Sequence, residues 1–154
     1  MAWQHDISTA HWHPGDELPS HNESCMVCGI ASPSSPLLDR WRVLAGGERV
    51  GTRIRFDDRH QGAPAYAHGG AVAALLDDAM GYVSFLVQRI FVTAHLEVDY
   101  RRPVLLGREY DVVAWCLDID GRKVRATAEL RDGDTIIASG TGLFVVVDLE
   151  HFQP

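Results

Sequence analysis

The chain has 154 residues, 46% of them hydrophobic, with 21 acidic against 14 basic side chains and a formal net charge of −7. That length supports one sizeable core and is short for two, and the acidic balance removes the broad positive field that nucleic-acid and membrane-surface binding use, so neither partner is expected. The start, MAWQHDISTAHWHPGDE, has no basic-then-apolar leader pattern, no run of eighteen apolar residues occurs, and Cys25, Cys28 and Cys116 are too few and too odd in number for a disulfide framework; a cytoplasmic protein with reduced thiols is the expectation.

Residues 1–36 carry four of the eight histidines (His5, His11, His13, His21) and four of the seven prolines (Pro14, Pro19, Pro33, Pro36) without sustained periodicity. They read as an irregular N-terminal arm around a folded domain at 37–154. WRVLAGGERVGTRIRFD follows, two β-prone runs around Gly46-Gly47 that signal a hairpin. Residues 69–89 hold no proline and are apolar almost all the way round, which predicts one helix enclosed by the rest of the fold. The enclosure follows in sequence as VTAHLEVDYRRPV, EYDVVAWCLDID, KVRATAELRD and TIIASGTGLFVVVD, with turns at Leu106-Gly107, Asp120-Gly121 and Asp132-Gly133. Connections of a few residues make antiparallel neighbours, hence a meander. The fold class is α+β, a long central helix against a curved antiparallel sheet.

The chemistry concentrates at the start of that helix. His68-Gly69-Gly70 opens it, where the first backbone N–H groups lack intrahelical partners and carry the positive end of the dipole, a place for an oxygen gaining negative charge. A tight loop-to-helix turn explains the glycines equally well. Asp77 lies seven residues after Gly70 and returns to within roughly 20° of the same face, while Asp78 points about 100° away. Ala73, Ala74 and Gly81 surround Asp77, so nothing large covers it. A carboxylate in such a hollow has its pKa raised, as bases and nucleophiles often do; the competing reading is that both acids are capped and serve packing. Gly70 and Asp77 stand roughly 10 Å apart along the axis, whereas nucleophile and oxyanion donor must both lie about 3 Å from one carbonyl group. Acting together, they would come from two subunits across a two-fold axis.

HQGAPAYAHGGAVAALLDDAMG, then TAHLEVDYRRPV and GRKVRATAEL, resembles the hotdog-fold acyl-CoA thioesterases of the PaaI/THEM4-like family over roughly residues 25–148. Several spaced elements carry the likeness: HGG, an acid nine residues after the histidine and a threonine sixteen after the acid. The resemblance implies a hotdog fold, two subunits joined edge to edge as a dimer or tetramer, and an acyl-CoA substrate, with no cofactor and no metal required. It implies that Asp77 activates water or attacks the thioester directly. Gly70 and His68 of the other subunit would polarise the carbonyl, and Thr93 would orient the water or the acid. Thr93 otherwise reads as an ordinary strand residue. One family variant has Asn six residues before the histidine; here that position is Gly62, which removes any side-chain amide role.

Arg101-Arg102 at a strand end, Arg122-Lys123 after a turn, and Gly69 are candidate contacts for the phosphates and thioester of acyl-CoA; exposed cations flanking turns are the alternative. His95 alternates with Thr93 and Glu97, which would put it on the same strand face. Trp41, Trp115 and Phe144 read as core or interface residues. Cys25-x-x-Cys28 is half of a zinc site that His21 or another arm histidine would have to complete; relatives carry a Cys-rich arm here, and packing is the expected role. Two further functions stay in view: a non-catalytic acyl-CoA or lipid-binding hotdog module, against which the intact His68, Gly70, Asp77 and Thr93 set argues, and an enoyl-CoA hydratase, whose motif spacing is missing.

Overall fold

The computed structural model describes Ile7 and residues 10–153; the rest, His5 of the arm among them, lies outside the described residues. In chain order the elements are β1 (Arg42–Val43), β2 (Arg49–Arg55), β3 (Gln61–Ala63), β4 (Tyr66–Ala67), α1 (Gly69–Gly81), α2 (Val83–Val87), β5 (Phe91–Tyr100), β6 (Glu109–Asp120), β7 (Lys123–Asp132) and β8 (Thr135–Val146). Six strands form one antiparallel sheet in the order β1-β2-β6-β7-β8-β5, and β3 pairs with β4 beside it.

Helix α1 buries Val72, Leu75, Leu76, Ala79 and Met80, a stripe at offsets of three and four, against the concave face of the sheet. Glycine sets how close it lies. A Cβ on Gly140 of β8 would sit 3.4 Å from Leu76 Cβ, and one on Gly142 would reach 3.3 Å from Met80 Sδ while colliding with the Phe144 ring. Strand glycines cost stability in general; here they let a helix approach the backbone. Gly69–Val87 is long and apolar enough, by length and composition, to cross a membrane, yet half of that stretch is buried inside this fold.

Two expectations are corrected. The predicted helix over 69–89 is interrupted: α1 ends at Gly81, and the chain resumes as the short α2. Gly81 is a poor helix former, and a Cβ there would sit 3.3 Å from His21 Cε1. The break lets Tyr82 stack on Trp41 at 4.8 Å between ring centroids. The meander spans only β6, β7 and β8, because β5 lies on the far edge beside β8. Residues 101–108 cross between them and hydrogen-bond to the stretch before α1, through Ala67 N to Val104 O and Leu106 N to Ala65 O. The hairpin over Gly46-Gly47 is present, both glycines at positive φ.

The arm is irregular but joined to the body. Leu18 N and Gly15 N donate to the Trp41 and Val43 carbonyls, and Ile7, Leu18, Val27 and Cys28 are buried in the shared core.

Truncating Leu76, fully buried under Gly140, to Ala should cost about 2–5 kcal/mol, whereas the same change at exposed Leu117 should cost no more than about 0.5 kcal/mol; urea unfolding of both variants measures the contrast.

Candidate active site

Asp77 and Thr93 meet, as the family resemblance implies. Thr93 Oγ1 donates to Asp77 Oδ1 at 2.8 Å, joining the helix to the edge strand β5. This contact depends on a bulge. Thr93 stands opposite Phe144, but His95 stands opposite Leu143, so Ala94 is an extra residue in the ladder. Residues directly opposite each other share a face. Thr93 therefore lies on the helix side with Phe144, and past the bulge Leu96, Val98 and Tyr100 take over that side.

His95 consequently lies on the opposite face from Thr93, overturning the expectation drawn from simple alternation. Its side chain is exposed and sits 3.7 Å from Glu97.

Burial raises the Asp77 carboxyl above the usual aspartate range; the Thr93 hydrogen bond pulls it back down, the Asp78 charge pushes it up and His21 lowers it slightly. A carboxylate held on one oxygen by a hydroxyl, and partly desolvated, has a second oxygen able to take a proton from water.

At the helix start, His68 is the N-cap and its Nδ1 accepts the Gly70 N–H at 2.8 Å. The candidate oxyanion donor is thus already engaged, and an incoming oxygen would have to replace the imidazole nitrogen. Gly69 O accepts from Tyr100 Oη at 2.7 Å, tying the far end of β5 to this turn. A cavity of about 320 Å³ beside it is lined by Tyr66, Gly69, Val72, Tyr100, Arg101 and Arg102. Neither Asp77 nor Thr93 lines that cavity.

The other cationic pair lies elsewhere. Arg122 Nε and a terminal nitrogen donate to Val146 O at 3.2 and 3.1 Å, and exposed Lys123 begins β7 opposite Val145. Val145 also pairs with Val92, so Arg122-Lys123 belong to the Thr93 end of the sheet, and Arg101-Arg102 to the other end, about 27 Å away along β5. Asp78 turns from Asp77 toward the arm, meeting Cys25 Sγ at 3.6 Å and His21 Nδ1 at 3.8 Å. Sequence reasoning missed that meeting, because the partners are fifty residues distant and nothing local announces it.

Because the folded state raises the Asp77 pKa, folding favours the protonated form. The penalty is absent below the ordinary aspartate value and grows as pH climbs through the interval up to the raised value. Asp77→Asn should therefore melt at a higher temperature than the parent at neutral pH and show less loss of stability on going from acid to neutral solution, read from thermal scans across pH.

Residues 65–139 match the thioesterase superfamily. The acyl-coenzyme A thioesterase THEM4 of Rattus norvegicus is 36% identical over 90 residues, covering 57% of this chain and 39% of that protein. The chain spans about two fifths of the length of the curated relatives it matches in this way. Among solved structures, a thioesterase superfamily protein superposes with a TM-score of 0.71 at 29% identity, over 77% of this chain and 61% of that one. The conserved protein PA5202 from Pseudomonas aeruginosa has a TM-score of 0.58 at 31% identity, over 64% and 81%. With the matched segment holding His68 and Asp77 on the sheet-wrapped helix and Thr93 on the neighbouring strand β5, the chain belongs to the thioesterase superfamily.

Proposed function

We propose that the protein hydrolyses acyl-CoA thioesters, using sites shared between two protomers that pair along their β5 edges. The observation that carries this is the Thr93–Asp77 hydrogen bond of 2.8 Å at the edge of the sheet. A carboxylate held in this way beside an edge strand supports a site that a second protomer completes with its own helix start. The name of the THEM4 relative supports the substrate class.

Asp77 acts as general base. Thr93 holds Oδ1, the second carboxylate oxygen removes a proton from water, and the water oxygen attacks the thioester carbonyl carbon. Negative charge gathers on the carbonyl oxygen, which takes the Gly70 N–H of the facing helix in place of His68 Nδ1, helped by the dipole. Collapse breaks the carbon–sulfur bond; the proton on Asp77 passes to the departing sulfur, leaving free acid and coenzyme A. Direct attack by Asp77 is the other route open to the same carboxylate. Arg101 and Arg102, beside the Gly69 cavity, hold the coenzyme A phosphates, with Arg122 and Lys123 as a second cationic pair at the Thr93 end.

Asp77→Asn should lower kcat by about 100-fold or more while the protein stays folded. A screen of acyl-CoA esters with detection of free thiol reads it, and equal turnover would reject the role. Acyl-CoA binding without thiol release by the parent protein would instead identify a binding module.

A shared site makes a second prediction. Asp77→Asn and Gly70→Pro, the latter removing the N–H in a helical turn that tolerates proline, should each be inactive alone. Co-expressed, they should regain activity, because one of the two sites in a mixed dimer keeps both intact parts. Lack of recovery in isolated mixed dimers would place both functions within one chain.

A further inference from the structure

Four metal-ligating side chains converge where the arm crosses α1, on the side away from Thr93. Asp78 Oδ1 is 3.6 Å from Cys25 Sγ and 3.8 Å from His21 Nδ1, and His21 Nδ1 is 3.8 Å from Cys28 Sγ. His21, Cys28 and Asp78 offer ligand atoms all within 4.8 Å of one another. Zinc bonds of about 2.3 Å to sulfur and 2.0–2.2 Å to nitrogen and oxygen put neighbouring ligand atoms roughly 3.3–3.8 Å apart in a tetrahedron. The three measured separations link the four atoms in a chain at that spacing: His21, Cys28 and Asp78 form the mutually close set, and Cys25 joins it through Asp78 Oδ1.

The surroundings are built for such a load. The Asp78 side chain is only 10% exposed, and its Oδ2 is buried with no hydrogen-bond partner among the described residues, a costly arrangement for a carboxylate oxygen. The Cys28 N–H points at Cys25 Sγ at 3.4 Å, and Ser20 Oγ lies 3.7 Å from Cys28 Sγ. Such outer donors orient and stabilise thiolates around a metal. Gly29 follows the second cysteine, and any Cβ there would collide with the Glu23 and Cys25 carbonyl oxygens, so the tight turn that brings the sulfurs together admits glycine alone.

We propose that His21, Cys25, Cys28 and Asp78 bind one zinc ion that fastens the N-terminal arm to the central helix. Two thiolates and an imidazole select zinc over the hard cations magnesium and calcium. On binding, the two thiols release their protons to solvent and zinc takes the sulfur lone pairs; no electron is transferred. Two thiolates and one carboxylate around the dication leave the cluster with one net negative charge. Four protein ligands close the shell, so this is a fastening site rather than a catalytic one. It also gives Asp78 a counter-charge one residue from Asp77, whose carboxyl the Asp78 charge otherwise pushes up. The site stands apart from the hydrolase reading, since none of its ligands is used there.

The test is metal content and spectroscopy of the whole chain, independent of turnover. Protein produced with zinc in the medium and purified under reducing conditions without chelator should carry about one zinc per chain by mass spectrometry. After chelation, adding Co²⁺ should give visible bands of a tetrahedral ion together with thiolate-to-metal charge transfer, and adding Zn²⁺ should raise the melting temperature. Cys28→Ser and Asp78→Asn should lose most of the zinc, and Cys28→Ser should weaken the charge-transfer band; Cys116→Ser, on β6, should keep both. Parent protein that stays metal-free after dialysis against Zn²⁺, with an unchanged melting temperature, would overturn the proposal. So would full zinc content in the Cys25→Ser, Cys28→Ser double variant.

Discussion

Helix α1 lies almost directly on the backbone of β8, and the spacing is set by what Gly140 and Gly142 lack. With Leu76 and Met80 filling that interval, the rotation of the helix is fixed by packing, and everything on its flanks follows. Asp77 and Asp78 leave the axis about 100° apart and emerge on either side of the buried stripe. Each is then half enclosed, and each needs a partner that the helix itself cannot supply. Thr93 of the edge strand meets one; the Cys-rich arm meets the other.

The same packing separates two kinds of polarity. The helix start, capped by His68 and braced by Tyr100, stays open beside the arginines. The carboxylate seven residues on faces the sheet edge, away from that cavity. A single chain thus keeps these two features apart, the helix start beside its cavity and the threonine–aspartate pair at the sheet edge outside it.

Much of this was legible in the residues. Strands β6 and β7 begin and end where period-two patterning and glycine turns place them, because local geometry and burial agree there. The Asp77–Thr93 pairing was implied by the family resemblance, whereas the residues alone left Thr93 an ordinary strand threonine. The failures have physical reasons. Strand order cannot be read when a connection crosses the sheet instead of turning back, so β5 went to an unforeseen edge. The helix was read through Gly81 because apolar composition continues past the break, and the break accommodates a long-range contact, the stacking of Tyr82 on Trp41. The junction of His21, Cys25, Cys28 and Asp78 was only half visible, since the fourth ligand comes from another element.

The Ala94 bulge has a further meaning. Strand β5 is written in two phases: Phe91 and Thr93 use odd positions to look inward, while Leu96, Val98 and Tyr100 use even ones. Ala94 acts as a phase shifter between them. Without it the strand would have to choose, either turning its hydroxyl away from the acid or presenting three apolar and aromatic side chains to water, so a single small residue reconciles the demands of chemistry with those of the core.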